Sequence, residues 1–473
     1  REGSSSSGFG LLIGTDQVEN GNHALGDFFD RFALLLRHVA HRAERLMKKT
    51  PLAIGFAHLS DCAPLVVAKE RGVFEAHGLD VTLRRFEAWA PMRDALGMGA
   101  IDAAHMLSPM VVASAAGLGP FPNQFTTAFT MNLNGNAITV SRGLYAGMEQ
   151  TAPEILTRRP LSAAALKPLI AQRVAANEPR LTFAHVYPHS MHTYELRYWL
   201  AAGGIDPDTD VELVVIPPEQ MIDALSLGQI DGYCVGEPWN NVAVISGIGR
   251  TLITSAEIWS SSPEKVLAVR QHWASSHAES HAALISAMLE TSAWIDRASN
   301  RVTAAQIASD PQYVNVPFDE LVGSLSGKNR QTGGTLRMDM PDFNVFHRYA
   351  ANFPWLSHAK WILAQMIRWG HAPANLDIDA AARSAFQPDF YRTVASDLGV
   401  ACPVPNEKVE GAHSSAWVMT DATAPIAFAP DRFIDGRIFD PENIQGYLSG
   451  FGIRASAPRF SEADKGQAIT LVR

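Results

Sequence analysis

Short apolar runs alternate with segments of helical spacing from Pro51 onward, and that alternation predicts the fold. Leu52-Ala-Ile-Gly-Phe56 reads as a buried strand. Ser60-Asp61 reads as the cap of a helix with Pro64 in its first turn and Gly72 at its stop. Leu79-Asp-Val-Thr-Leu83 is the next strand, Pro91 to Met98 the next helix, and Asp102 to Leu107 a third strand running into a helix at Ser108-Pro109. A second stretch repeats the programme. Leu181 to Val186 is a strand, and Met191 to Ala202 a helix stopped by Gly203-Gly204. Val211 to Ile216 is a strand, Pro218 to Leu227 a helix, and Ile230 to Val235 a strand entering Gly236-Glu-Pro-Trp239. Strands alternating with helices predict parallel sheets with covered faces, whose ligands lie beyond the carboxyl ends of the strands.

One passage occurs twice. Asp94-Ala-Leu-Gly-Met-Gly-Ala-Ile-Asp102 through Pro109-Met110 returns as Asp223-Ala-Leu-Ser-Leu-Gly-Gln-Ile-Asp231 through Pro238-Trp239, 129 residues later without a gap. The spacing is too long for a solenoid, so it predicts two similar α/β lobes with a ligand cleft between them. Lobe one is expected at 50–140 together with 240–450, and lobe two at 141–238. Past residue 240 the spacing turns helical, at Ser276 to Ala298 and Ala359 to Trp369, with Arg330 to Pro341 as a loop. The chain from Cys402 is rich in Pro, Gly and Ala and reads as a surface wrap, ending in a tail at 451–473.

Composition narrows the function classes. The 473 residues carry a net charge of -9, which argues against a nucleic-acid surface but not against a small anion held by local donors. Cys62, Cys234 and Cys402 are too far apart for a metal set or a disulfide framework, and His105 and His358 match no zinc spacing. Neither a metal nor a cofactor is expected. There is no P-loop, no nucleophile elbow and no dinucleotide fingerprint. Residues 1–46 read as a flexible or non-native extension, with a short amphipathic helix at Phe28 to Leu46. Met47-Lys-Lys reads as a natural start, and no secretory h-region is recognised. The expected location is therefore cytoplasmic, with a periplasmic or membrane-associated one if a signal was removed.

Five positions offer binding chemistry. Trp89 ends a strand and brings a pure N–H donor, though packing at a lobe edge is the competing reading. Asn136 brings an amide to a turn that is also ordinary Asn-Gly chemistry. His192 lies in the first turn of a helix, where free N–H groups and the dipole favour an anion; His185 and His189 compete for that role. Gly236 lets the backbone approach a ligand ahead of a helix start at Pro238, where Glu237 is a cap or hinge contact. Lys265, in Pro263-Glu-Lys265, supplies a formal positive charge unless it is merely a solvated surface lysine.

Taken in order, these passages resemble the nitrate- and bicarbonate-binding proteins of ABC transporters. The marks are Pro51-Leu-Ala-Ile-Gly-Phe, Trp89 with Arg93-Asp94, Asn134-Gly-Asn-Ala-Ile-Thr-Val, His192 ahead of Arg197-Tyr-Trp-Leu, Gly236-Glu-Pro-Trp, Pro263-Glu-Lys, Ala351-Asn-Phe-Pro-Trp and Asp435-Gly-Arg-Ile-Phe-Asp-Pro. The resemblance implies a two-lobed type II periplasmic-binding-protein fold closing on a small planar oxyanion. It places the ligand contacts on Trp89, Asn136, His192, Gly236 and Lys265. Asn136 stands where transport members often have Gln. Lys265 stands where bicarbonate binders carry an acidic residue with a calcium ion, and so favours nitrate or nitrite. The family includes cytoplasmic nitrate/nitrite sensors that restrain an RNA-binding antiterminator, and the Met47-Lys-Lys start without a recognised export signal fits that branch, so a sensor is the expected role. The alternatives are the substrate-binding component of a nitrate or bicarbonate transporter, partnered by permease and ATPase, and more distantly a thiamin-pyrimidine-synthase-like enzyme.

Overall fold

A computed structural model describes residues 49–328 and 340–454 of the chain. The expected extension at 1–46, most of the loop at 330–341 and most of the tail at 451–473 lie outside the described residues. Eleven strands concern the site: β1 Thr50–Ala57, β2 Leu79–Phe86, β3 Ala103–Leu107, β4 Phe125–Thr130, β5 Leu133–Asn134, β6 Asn136–Ser141, β7 Leu181–His185, β8 Val211–Val215, β9 Gly232–Gly236, β10 Gly249–Thr254 and β11 Lys265–Arg270. They form two five-stranded sheets, ordered β2-β1-β3-β11-β4 and β8-β7-β9-β6-β10, besides short pairings such as that of β5.

The two orders are the same order. In each, a parallel pair (β1 with β3, β7 with β9) is followed by an antiparallel strand from outside that unit, the later β11 in the first sheet and the earlier β6 in the second. Both sheets are therefore mixed, not parallel. Periodicity marks a strand without marking its direction, and the antiparallel strands come from segments outside the strand–helix alternation. The second sheet begins at Asn136 and includes β10, so the chain changes sheets before 136 and again between 254 and 265, not at 140 and 238.

The repeat has a physical reason. Asp102 Oδ2 accepts from the Ala53 N–H at 2.9 Å while its own N–H donates to the Ala53 carbonyl. Asp231 does the same to Thr182, at 2.8 Å, and Thr182 lies the same 129 residues beyond Ala53. Each Asp ties the start of a returning strand, β3 or β9, to the parallel strand beside it, β1 or β7. This fixes register where a slip would turn the buried face outward.

Apolar residues of the strands pack on the flanking helices. Ile54 and Phe56 bury against Val66 and Val67, and Phe183 and Tyr233 share a core with Trp199. The chain after Cys402 is more than a surface wrap. It returns Glu410, Asp431 and Phe433 to buried positions, where Asp431 accepts from the Trp259 indole at 3.0 Å and Phe433 stacks on that ring. Among the described residues, no helix is long and apolar enough to cross a membrane.

Candidate functional site

Trp89, Asn136, His192 and Lys265 come from four different elements, and folding brings them to one buried place. Trp89 begins the helix Trp89–Gly97 that follows β2. Asn136 opens β6 directly opposite Gly236, the last residue of β9. His192 is the second residue of the helix Met191–Ala202, capped by the Ser190 hydroxyl. Lys265 opens β11 beside Leu107, at the carboxyl end of β3. All four side chains are at most 2% exposed.

Carboxylates join them. Asn136 Nδ2 donates to Glu264 Oε1 at 2.9 Å and to Glu195 Oε2 at 3.0 Å. His192 Nε2 lies 3.4 Å from Glu264 Oε1, and Lys265 Nζ donates to Glu264 Oε2 at 2.5 Å. The same ammonium is 3.0 Å from Asp61 Oδ2 and 5.4 Å from the Trp89 ring centre. Asp61 Oδ1 faces His105 Nε2 at 3.2 Å, and the Ser262 hydroxyl donates to Glu195 Oε1 at 2.7 Å. Lys265 is thus neither a solvated lysine nor a lone positive charge. It is held between two carboxylates, so the positive charge expected of it is shared within the chain.

Burial sets the protonation of this cluster. Burial pushes the Glu195 carboxyl up to about 8, helped by neighbouring Glu264 and opposed by hydrogen bonds from Asn136 and Ser262. Burial also raises Glu264, against the pull of Lys265. Burial works against charge on Asp61 too, but Lys265 and His105 outweigh it and hold Asp61 far below the usual carboxylate range. Burial opposes the Lys265 ammonium, yet Asp61 and Glu264 together hold its pKa above the usual lysine value. Desolvation keeps His192 and His105 neutral. At neutral pH burial therefore keeps Glu195 protonated and both imidazoles neutral, while Lys265 and Asp61 form an ion pair beside Glu264.

Several buried donors remain unspent. Among the described residues Trp89 Nε1 has no acceptor, and neither ring nitrogen of His192 has a hydrogen-bond partner. Buried N–H groups without partners are uncommon and costly, so their gathering around one lysine marks a place suited to acceptor oxygens. Asn136 Oδ1 is an unspent acceptor in the same group.

Other expectations change. The Glu237 carboxylate accepts from the Asn241 N–H at 3.0 Å, so it caps the short helix Trp239–Ile245 and occupies an N–H that an anion would need. Pro238 is the cap residue of that helix, outside its first turn. Gly236 stands at the cluster's edge, where an added Cβ would touch Asn136 Oδ1 and Leu59 at 3.4 Å. Asp61 spends its side chain on Lys265 and His105, not on a helix cap. Asp61, Glu195 and Glu264 escape sequence reasoning, although Glu195 sits three residues after His192 on one helix face and Glu264 adjoins Lys265.

The sequence and the fold resemble known proteins. A family pattern described as NMT1-like matches residues 46–309. The chain belongs to the NMT1-like family. The nitrate/nitrite binding protein NrtA of Nostoc sp. is 32% identical over 423 residues, 86% of this chain and 87% of that protein. The bicarbonate transport ATP-binding protein CmpC of Synechococcus elongatus is 36% identical over 397 residues, 83% of this chain. The chain spans about half the length, 56%, of that ATP-binding relative. The crystal structure of the periplasmic nitrate-binding protein NrtA from Synechocystis PCC 6803 superposes with a TM-score of 0.74 at 28% identity, covering 86% of this chain and 99% of that one. The family member described here thus has the α/β fold of the periplasmic binding proteins.

Proposed function

We propose that the chain binds nitrate or nitrite at the Lys265 cluster, as a binding protein without catalysis. The observation that carries this reading is the Trp89 indole N–H, a pure donor that is buried, unpartnered and set against the Lys265 ammonium. Nitrate and nitrite bring acceptors only, which suits that group and the unspent imidazole N–H groups. In this reading Trp89 and His192 donate to the anion, Lys265 supplies charge shared with Asp61, and Asn136 turns its amide from the glutamates to the ligand. Gly236 keeps the backbone beside Asn136 free of a side chain. Charge-assisted hydrogen bonds of this kind contribute about 1.5–3 kcal/mol each. Names of relatives, nitrate/nitrite binding among them, support the ligand class.

A second reading has its own observation. Asn136 Oδ1 is a buried acceptor without a donor, and bicarbonate carries a hydroxyl that nitrate lacks. A thermal-shift screen with nitrate, nitrite, bicarbonate with calcium, and pyridoxal phosphate separates the two, and separates both from an enzyme of the thiamin-pyrimidine class. Stabilisation by nitrate or nitrite is expected; stabilisation by pyridoxal phosphate alone would overturn a binding function.

For the finer role we infer a cytoplasmic sensor that restrains an RNA-binding antiterminator until the anion arrives. Its logic is a shift of population, with the anion favouring one form and the partner the other. The resemblance to a family that includes such sensors supports it. A transport component, partnered by permease and ATPase, is supported as well by relatives named for import. Affinity purification from the source cells tests the choice. An antiterminator released by nitrate is expected, and a permease–ATPase pair would reverse it.

A further inference from the structure

Among the described residues, one group of histidine, cysteine and carboxylate side chains gathers three ligand atoms within 4.8 Å of one another: His58, Glu87 and Glu219. It lies apart from the Lys265 cluster in its donors and in its exposure. His58 follows β1, Glu87 follows β2, and Glu219 precedes the helix Gln220–Ser226 after β8. Two donors thus come from the first sheet and one from the second. The His58 ring also packs edge-on against Trp239, which follows β9, at 5.6 Å.

His58 is the unusual member. It is 4% exposed, and neither ring nitrogen has a hydrogen-bond partner. Nε2 nevertheless lies 3.3 Å from Glu219 Oε2, and Nδ1 lies 3.8 Å from Glu87 Oε2. Two carboxylates therefore face an imidazole that does not bond to either. A protonated imidazole would answer them, but burial holds His58 below its usual range. The nearby cation is Arg85, whose Nε reaches the other oxygen of Glu87 at 3.4 Å. Apart from His58, Arg85 is the basic group paired with these carboxylates among the described residues, and it reaches Glu87 alone.

We propose that His58, Glu87 and Glu219 bind a divalent cation of the zinc class, bridging the loops of the two sheets. Ligand atoms 2.0–2.1 Å from a tetrahedral zinc stand about 3.3 Å apart, and His58 Nε2 and Glu219 Oε2 already have that separation. One ligand atom from each residue lies within 4.8 Å of the others, so Glu87, whose side chain is exposed, closes the remaining gap by turning inward by about an ångström or two. The fourth position faces solvent and would take water. An imidazole donor selects zinc or a related transition metal over calcium and magnesium, which take oxygen ligands. This site departs from the expectation that the chain holds no metal. Pairwise spacing along the chain cannot reveal it, because its three residues are 29 and 132 positions apart.

The test is calorimetric titration of the whole, metal-stripped chain with zinc chloride in the absence of any nitrate, so that its outcome is independent of the anion reading. One zinc per chain is expected, with Glu219→Gln and His58→Ala each weakening that event by about 10-fold or more. Glu219 is a half-exposed surface residue, so Glu219→Gln probes the ligand without disturbing the packing of His58 on Trp239. Absence of a one-to-one event, an event that neither substitution weakens, or magnesium bound as tightly as zinc would each overturn the proposal.

Discussion

Lys265 Nζ lies 3.0 Å from Asp61 Oδ2, with both side chains buried, and this pair anchors the charge of the site. An isolated buried charge costs several kcal/mol, whereas a neutral pair of similar size costs little. Lys265→Met alone should therefore lower stability by about 3–5 kcal/mol, because Asp61 is left unanswered. Adding Asp61→Asn should recover a large part of that loss. Urea unfolding of the single and double variants checks this, and equal losses in both would show that the pair is not coupled.

The Glu195 carboxyl gives a pH dependence of known sign. Burial raises its folded pKa to about 8, so the folded chain holds a proton that the unfolded chain releases near the ordinary glutamate value of 4.5. This contribution is complete below the unfolded pKa and is lost as pH rises through the folded one. Between pH 5 and 8 it should fall by about 1.4 kcal/mol per unit. Glu195→Gln keeps the shape without the proton, and its stability curve should be flatter over that range. Identical slopes for the two proteins would mean that Glu195 is not the group that titrates.

The clasps at Asp102 and Asp231 should behave as copies of one device. Asp102→Ala and Asp231→Ala each remove the acceptor of a strand N–H, at Ala53 and at Thr182. Each should cost about 1 kcal/mol, the lower end for a lost partner because both sites are only part-buried. Thermal melts would show the two losses to be similar. A large loss at one site and none at the other would break the structural equivalence of the repeat.

Much of the fold was readable from local pattern, and the reason is visible in these residues. The repeat survives because Asp102 and Asp231 make the same bonds to Ala53 and Thr182. The paired strands and helices of each lobe follow from periodicity. What pattern could not reveal was β11 and β6 crossing into sheets as antiparallel strands, since that depends on contacts between distant segments. The site divides the same way. Trp89, Asn136, His192 and Lys265 do meet, but the partners that set their charge are Asp61, Glu195 and Glu264, which look locally like a cap residue and helix or loop acids. A short sequence pattern carries residue types; it does not carry which carboxylate will stand 3 Å from which ammonium.

The central claim is that unspent buried donors around Lys265 receive an acceptor-only anion. Calorimetric titration of nitrate at pH 7 into the chain and into Trp89→Phe tests it most directly. Trp89→Phe removes a donor that has no partner among the described residues, so it breaks no hydrogen bond of the unliganded chain. The account predicts one nitrate per chain, bound about 10-fold more weakly by Trp89→Phe, the equivalent of one hydrogen bond of about 1.4 kcal/mol. Nitrate bound equally well by both proteins, or by neither, would contradict it.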